Sequence, residues 1–371
     1  MKEILSPKTV KYDCLYFKGE YPCEPNKKRG KICKDCDEYA PISKKVLIIK
    51  LGALGDVIRT TPLVVYFKEN YINCHITWIT KSPEILPKHE INEIFPFQYP
   101  EVSVVLNNKF DIAINLDKDK EACILLNQVN ADVKYGFSWQ DGHIFALNKS
   151  AEEKLLTGLF DEYSKQNTKS YQEEIFEMCN LCFNNEKFLL DVNTSYLEKW
   201  NTIKDKADGK VIIGLNTGCG KRWLTRLWPD AYWIDLIKML QKKNFYPVLL
   251  GGKDEDCMNL KYSSITGAFY PGTFSLEEFI ALSANCDIIV SAVSMMMHIA
   301  IALGKPLVLF NNIFNKNEFE LYDNGTIIEP ESGCDCFYGT FCKRERHCMN
   351  DIFPEIVFEE IIKLDNKRSG K

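Results

Sequence analysis

Residues 46–65, VLIIKLGALGDVIRTTPLVV, leave this chain few folds to choose from. Residues 46–51 are apolar and β-branched apart from Lys50, the pattern of a strand buried on both faces. Gly52 and Gly55 break that run and Asp56 follows directly, so a helix is expected to begin at Asp56 or Val57. Glycine lets a ligand approach the backbone, and the first turn of a helix offers unpaired N–H groups and a positive dipole end. A polar substrate fits such a corner. Asp is also a favoured N-cap, so an acid that only caps the helix would satisfy the same motif.

The strand, loop and helix alternation continues along the chain. Strands are expected at 74–80, 103–106, 111–116 and 133–137, a helix at 171–182, and a polar, helix-prone connector at 191–209. The second half restarts the scheme with a strand at 211–215, a Gly- and Arg-containing loop at 216–227 and a helix from Pro229 to Lys243. A strand at 247–250 closes on Gly251 and Gly252, and Ser275 with Glu278 reads as a capping box. A strand at 287–291, a helix at 294–303 and a strand at 306–310 complete it. Such alternation yields mainly parallel sheets covered by helices. With 371 residues, the expected fold is α/β, two Rossmann-like doubly wound domains facing a cleft. The expected boundaries are a Cys-rich extension at 1–43, domains at 44–205 and 206–350, and an amphipathic closing helix within 351–371.

Composition narrows the function classes. A hydrophobic share of 46% with 26% charged residues is that of a soluble globular protein, and a net charge of −5 gives no support for nucleic-acid binding. No apolar run has the length of a membrane span, and the start MKEILSPKTVKYDC lacks the apolar core of a signal peptide. A cytoplasmic protein is expected, with peripheral contact to the inner membrane left open.

In open α/β sheets ligands collect at the carboxyl ends of the strands, and three loops of the second half carry suitable groups there. The loop from Thr217 to Pro229 offers the amides around Gly218, hydroxyls at Thr217 and Thr225, and cations at Lys221, Arg222 and Arg226, an inventory for phosphate. It matches neither GxxxxGK[ST] nor GxGxxG. The loop 251–256 places Glu255 among acids that suit ribose hydroxyls or the first turn of a helix. The third, Ser294-Met295-Met296-Met297-His298, opens a helix whose amides suit a diphosphate; alone, the methionines read as core and His298 as a packed or capping side chain.

Eight of the fifteen cysteines fall in two short segments. Cys14-x8-Cys23-x9-Cys33-x2-Cys36 lies in a stretch with no periodic apolar pattern, where four thiolates suit zinc, iron or an iron–sulfur cluster, with free thiols and disulfides as the other readings. Cys334-x-Cys336-x5-Cys342-x5-Cys348, with His347 alongside, is again metal-like. Both are expected to be structural.

Taken together, LGALGDVIRTTP, NTG…TRLWP and MHIAIALGKPLVLF resemble the family 9 glycosyltransferases, over residues 45–350. The resemblance implies a GT-B fold with the acceptor on the first domain, a nucleotide sugar on the second, and the closing helix packed back on the first domain. It implies inverting transfer without a catalytic metal, of a heptose from ADP-heptose to a lipopolysaccharide core or related surface glycan. By position, Asp56 matches the general base and Arg226 a phosphate-binding cation. Thr217, Gly218, Ser294, Met295 and Met296 match phosphate contacts, Glu255 a ribose contact, Phe274 a neighbour of the base, and His298 the family histidine. Val293 stands where the family usually has Asp. Some protein-modifying heptosyltransferases hold iron through cysteines near the C-terminus, so a protein Ser or Thr acceptor is a rival, as is a non-catalytic metal- or nucleotide-binding sensor.

Overall fold

The computed structural model describes residues 6–370. Two units make up the chain, the first formed by residues up to 51 with 63–83 and 88–148, the second by 52–62, 84–87 and the chain from 149 onward.

In the first unit, β1 (Lys44–Ile49), β2 (Cys74–Thr80), β3 (Glu93–Pro96), β4 (Lys109–Asn115), β5 (Asn130–Gln140) and β6 (His143–Ala146) form a sheet in the order β3-β2-β1-β4-β5-β6. All pairings are parallel except β5 with β6. Asp141 and Gly142, both at positive φ, make the hairpin between those two, a D-G turn signal the sequence reading passed over. The connection returns from β3 to β4 across β1, so the switch point lies between β1 and β4.

Residues 103–106, expected as a strand, lie in the helix Glu101–Asn107. Their β-branched composition favoured extension, but the side chains that reach the core are Val102, Val105 and Leu106, at i, i+3 and i+4, while Val104 faces solvent. A helical stripe won over local propensity.

In the second unit, β7 (Ile212–Asn216), β8 (Tyr246–Leu250), β9 (Ile288–Ala292), β10 (Leu307–Phe310) and β11 (Gly325–Ile328) form an all-parallel sheet in the order β11-β10-β9-β7-β8. Its switch point lies between β7 and β9. The closing helix, Pro354–Ser369, was expected on the first domain; it packs instead within the second unit. Val357, Ile361 and Leu364 join Trp228, Trp233 and Leu240 in one buried cluster, and Trp228 Nε1 donates to the Ile352 carbonyl at 2.8 Å. The capping box at Ser275 is half formed: Ser275 Oγ accepts the Glu278 N–H at 3.3 Å, while the Glu278 carboxylate pairs with Lys199.

Candidate active site

Three loops leave the carboxyl ends of β7, β8 and β9, and two buried asparagines tie them together. Asn216, ending β7, donates from Nδ2 to the Gly218 carbonyl at 2.9 Å and to Ser291 Oγ on β9 at 3.1 Å. Asn259 accepts the Thr217 hydroxyl at 2.7 Å and donates to the Leu250 carbonyl ending β8 at 3.2 Å. Thr217 thus braces the loop from behind. Nothing in the sequence marks Asn259, because its role depends on β8 lying beside β7.

The expected residues Gly218, Glu255, Phe274, Ser294, Met295 and Met296 line one pocket of about 380 Å³. Glu255 precedes the helix Asp256–Thr266 and accepts the Gly252 N–H at 2.9 Å. A Cβ on residue 218 would stand 2.0 Å from the other oxygen of that carboxylate, so any larger residue here must displace the Glu255 side chain. Gly218→Ala should therefore expel Glu255. Losing hydrogen bonds to a charged group costs about 1.5–3 kcal/mol, so nucleoside diphosphate affinity measured by calorimetry should fall roughly ten- to hundredfold. The double variant Gly218→Ala/Glu255→Ala should bind no worse than Glu255→Ala alone.

Ser294 occupies the N-cap of the helix Met295–Ala302 without a side-chain capping bond, and Ser294, Met295 and Met296 line that pocket, so the start of the helix lies at its wall. Arg226 is placed differently from the expectation of a free phosphate cation. Its guanidinium is buried and donates to the carbonyls of Val293, Cys219 and Trp223. It pins the β7 loop to the end of β9, and burial holds its pKa below the usual guanidinium value. Lys221 pairs with Asp254 at 2.7 Å, and Arg222 stacks on the Trp223 ring at 4.3 Å.

Asp56 belongs to the same unit. Its helix, Leu54–Ile58, begins two residues earlier than expected, and Leu54 lines the pocket. One carboxylate oxygen accepts the Ala53 N–H at 3.3 Å, while the other pairs with Arg59 at 2.8 Å. Asp56 caps the helix and stays one-third exposed. Arg59, absent from the expected set, was signalled by its i, i+3 spacing from Asp56. Its guanidinium lies 3.6 Å from the Tyr171 ring centroid. Burial opposes its charge, but Asp56 and then Tyr171 outweigh burial and keep its pKa above the usual value. His298 packs beneath Gly55, where an added Cβ would come within 2.4 Å of Cδ2. Burial first, then Arg59, push the imidazole down to about 3 against the pull of Asp56. At neutral pH His298 is therefore uncharged, a packing partner of this helix.

Residues 103–315 match the model of glycosyltransferase family 9 (heptosyltransferase). The chain belongs to this family. It is a glycosyltransferase, and its two units are those of a GT-B fold. No curated protein matches the sequence. A family 9 glycosyltransferase from Veillonella parvula DSM 2008 superposes with a TM-score of 0.66 at 17% identity, covering 87% of this chain and 97% of that one. The ADP-heptose lps heptosyltransferase II of E. coli gives 0.64 at 17% identity, over 88% and 99%. TibC, an iron-containing dodecameric glycosyltransferase from enterotoxigenic E. coli H10407, gives 0.53 at 13% identity, over 88% and 80%.

In this family 9 chain the sulfurs of Cys334, Cys336 and Cys348 lie within 4.8 Å of one another, a soft donor set able to take a metal ion. Asn312 Nδ2 donates to Cys348 Sγ at 3.5 Å. Cys342 stands outside this triad, and His347 Nδ1 accepts the Met349 N–H at 3.2 Å. Among the described residues Cys14, Cys23, Cys33 and Cys36 form no such close group. No helix among the described residues is long and apolar enough to cross a membrane.

Proposed function

We propose that this transferase moves a heptose, with inversion, from ADP-heptose to a hydroxyl of a lipopolysaccharide core or related surface glycan. The observation that carries the donor half is the pocket at the β7/β9 switch point, lined together by Glu255, Phe274 and the residues that open the Met295–Ala302 helix. These suit ribose hydroxyls, a base and a diphosphate in turn. The relative named for ADP-heptose supports the adenine nucleotide.

In the reaction, Asp56 takes the proton of the acceptor hydroxyl, and that oxygen attacks the anomeric carbon as the bond to the diphosphate oxygen breaks. The departing charge meets the amides at Met295 and Met296, and Arg226 holds the loop around it in position. Val293, in place of the usual acid, turns its carbonyl to Arg226. In this reading the first unit serves the acceptor and the second the nucleotide sugar, the second holding residues 52–62 and 149–205 that the sequence pattern assigned to the first. The cysteine triad holds structural iron or zinc, a role supported by the iron of TibC.

A thermal-shift screen of nucleotide sugars tests the donor. Binding at a hundred times Kd stabilises by about 2.7 kcal/mol, so ADP-heptose should raise the unfolding temperature while GDP- and UDP-sugars leave it unchanged. A larger shift with a GDP- or UDP-sugar would overturn the assignment. The triad favours one second reading, Ser or Thr hydroxyls of a protein as acceptor. Labelled donor offered to core oligosaccharide and to whole-cell protein separates the two.

A further inference from the structure

We infer that the N-terminal segment holds an iron–sulfur cluster on Cys14, Cys23, Cys33 and Cys36. The four thiols are free and all line a single cavity of about 450 Å³ enclosed by residues 6–39. They come to it from separate places: Cys14 beside a bridge to Pro41, Cys23 ahead of the helix Glu24–Arg29, and Cys33 and Cys36 at the two ends of a 3-10 turn. Four cysteines this far apart in sequence thus border one hollow.

Spacing decides what that is. A single tetrahedral ion with metal–sulfur distances of about 2.3 Å needs its ligand sulfurs roughly 3.8 Å apart. The C-terminal triad of the same molecule comes close to that spacing, with every pair of sulfurs within 4.8 Å, and no three of the N-terminal thiols approach one another as closely. A polynuclear cluster separates its thiolates by its own iron and sulfide atoms, so it takes four cysteines standing around a space. Much of the remaining lining is apolar, from Val10, Phe17, Pro22 and Ile32 among others, which suits sulfide better than water. Lys11 and Lys18 also border the cavity, as do Glu38 and Lys31, the latter paired with Asp37 at 2.8 Å.

The segment also needs such a centre. Among the described residues before Val46 only Pro25 is buried, and Tyr12, Phe17, Tyr21 and Ile32 remain exposed. Its regular structure is one six-residue helix and two three-residue turns, too little to hold some forty residues in place. Ligation by four thiolates would supply the missing folding energy.

The full chain, purified anaerobically and reconstituted with ferrous iron and sulfide, should carry iron with matching acid-labile sulfide, about four of each for a cubane cluster. It should show visible charge-transfer absorption that dithionite bleaches. Cys33→Ser/Cys36→Ser should lose the sulfide, and Cys334→Ser/Cys348→Ser should keep it. If the first variant fails to fold, the wild-type sulfide count and its persistence in the second still locate the cluster. Bound iron or zinc without labile sulfide, or sulfide retained in Cys33→Ser/Cys36→Ser, would overturn the inference.

Discussion

Asp56→Asn should lower kcat for sugar transfer by roughly two to four orders of magnitude, the usual contribution of a positioned general base. Asparagine keeps the shape and can still accept the Ala53 N–H, so the start of the Leu54–Ile58 helix survives. What disappears is the acceptor of the hydroxyl proton. The change also removes the partner of Arg59, a buried guanidinium, and some stability will go with it. The two effects separate by measurement. Donor affinity should stay within about threefold, less than 1 kcal/mol, because the pocket side chains of Glu255 and Phe274 belong to other loops. Asp56→Glu should recover part of the rate. Loss of donor binding together with turnover would reduce Asp56 to a helix cap.

Much of this site was legible because of where parallel strands put things. Strands such as β7 and β9 are buried along their whole length and read as largely apolar runs, with Asn216 closing β7 and Ser294 soon after β9. The loops after them therefore announce the ligand edge, and six of the expected donor residues line one pocket. What could not be read is how side chains are used once sheet order brings distant loops together. Arg226 looks like a phosphate cation in sequence. Only the neighbouring position of β7 and β9 brings it to the Val293 carbonyl, 67 residues away, and turns it into a clamp. The helix at 101–107 was misread for a related reason, since burial of Val102, Val105 and Leu106 is a property of the finished core.

The same logic, applied to the first sheet, yields the largest stability effect expected in the molecule. Lys50 follows β1 and Asp117 lies just beyond β4, and the two pair at that sheet's switch point with side chains only 6% and 4% exposed. Asp117 also accepts the Leu51 N–H, and burial raises its pKa against the pull of Lys50. Lys50→Met would leave the carboxylate buried beside a methyl thioether, which costs about 3–5 kcal/mol against a typical total of about 5–15. Urea unfolding should show the midpoint falling with an unchanged slope. In the double variant Lys50→Met/Asp117→Leu no charge remains to desolvate, and the residual cost is the unsatisfied Leu51 N–H, about 1–3 kcal/mol. The double variant should therefore be more stable than Lys50→Met. If both unfold at the same denaturant concentration, the pair is not coupled. If the double variant regains stability yet fails to transfer sugar, the two charges are kept at this ligand-collecting edge for binding, at a cost to the fold that a purely structural pair would not explain.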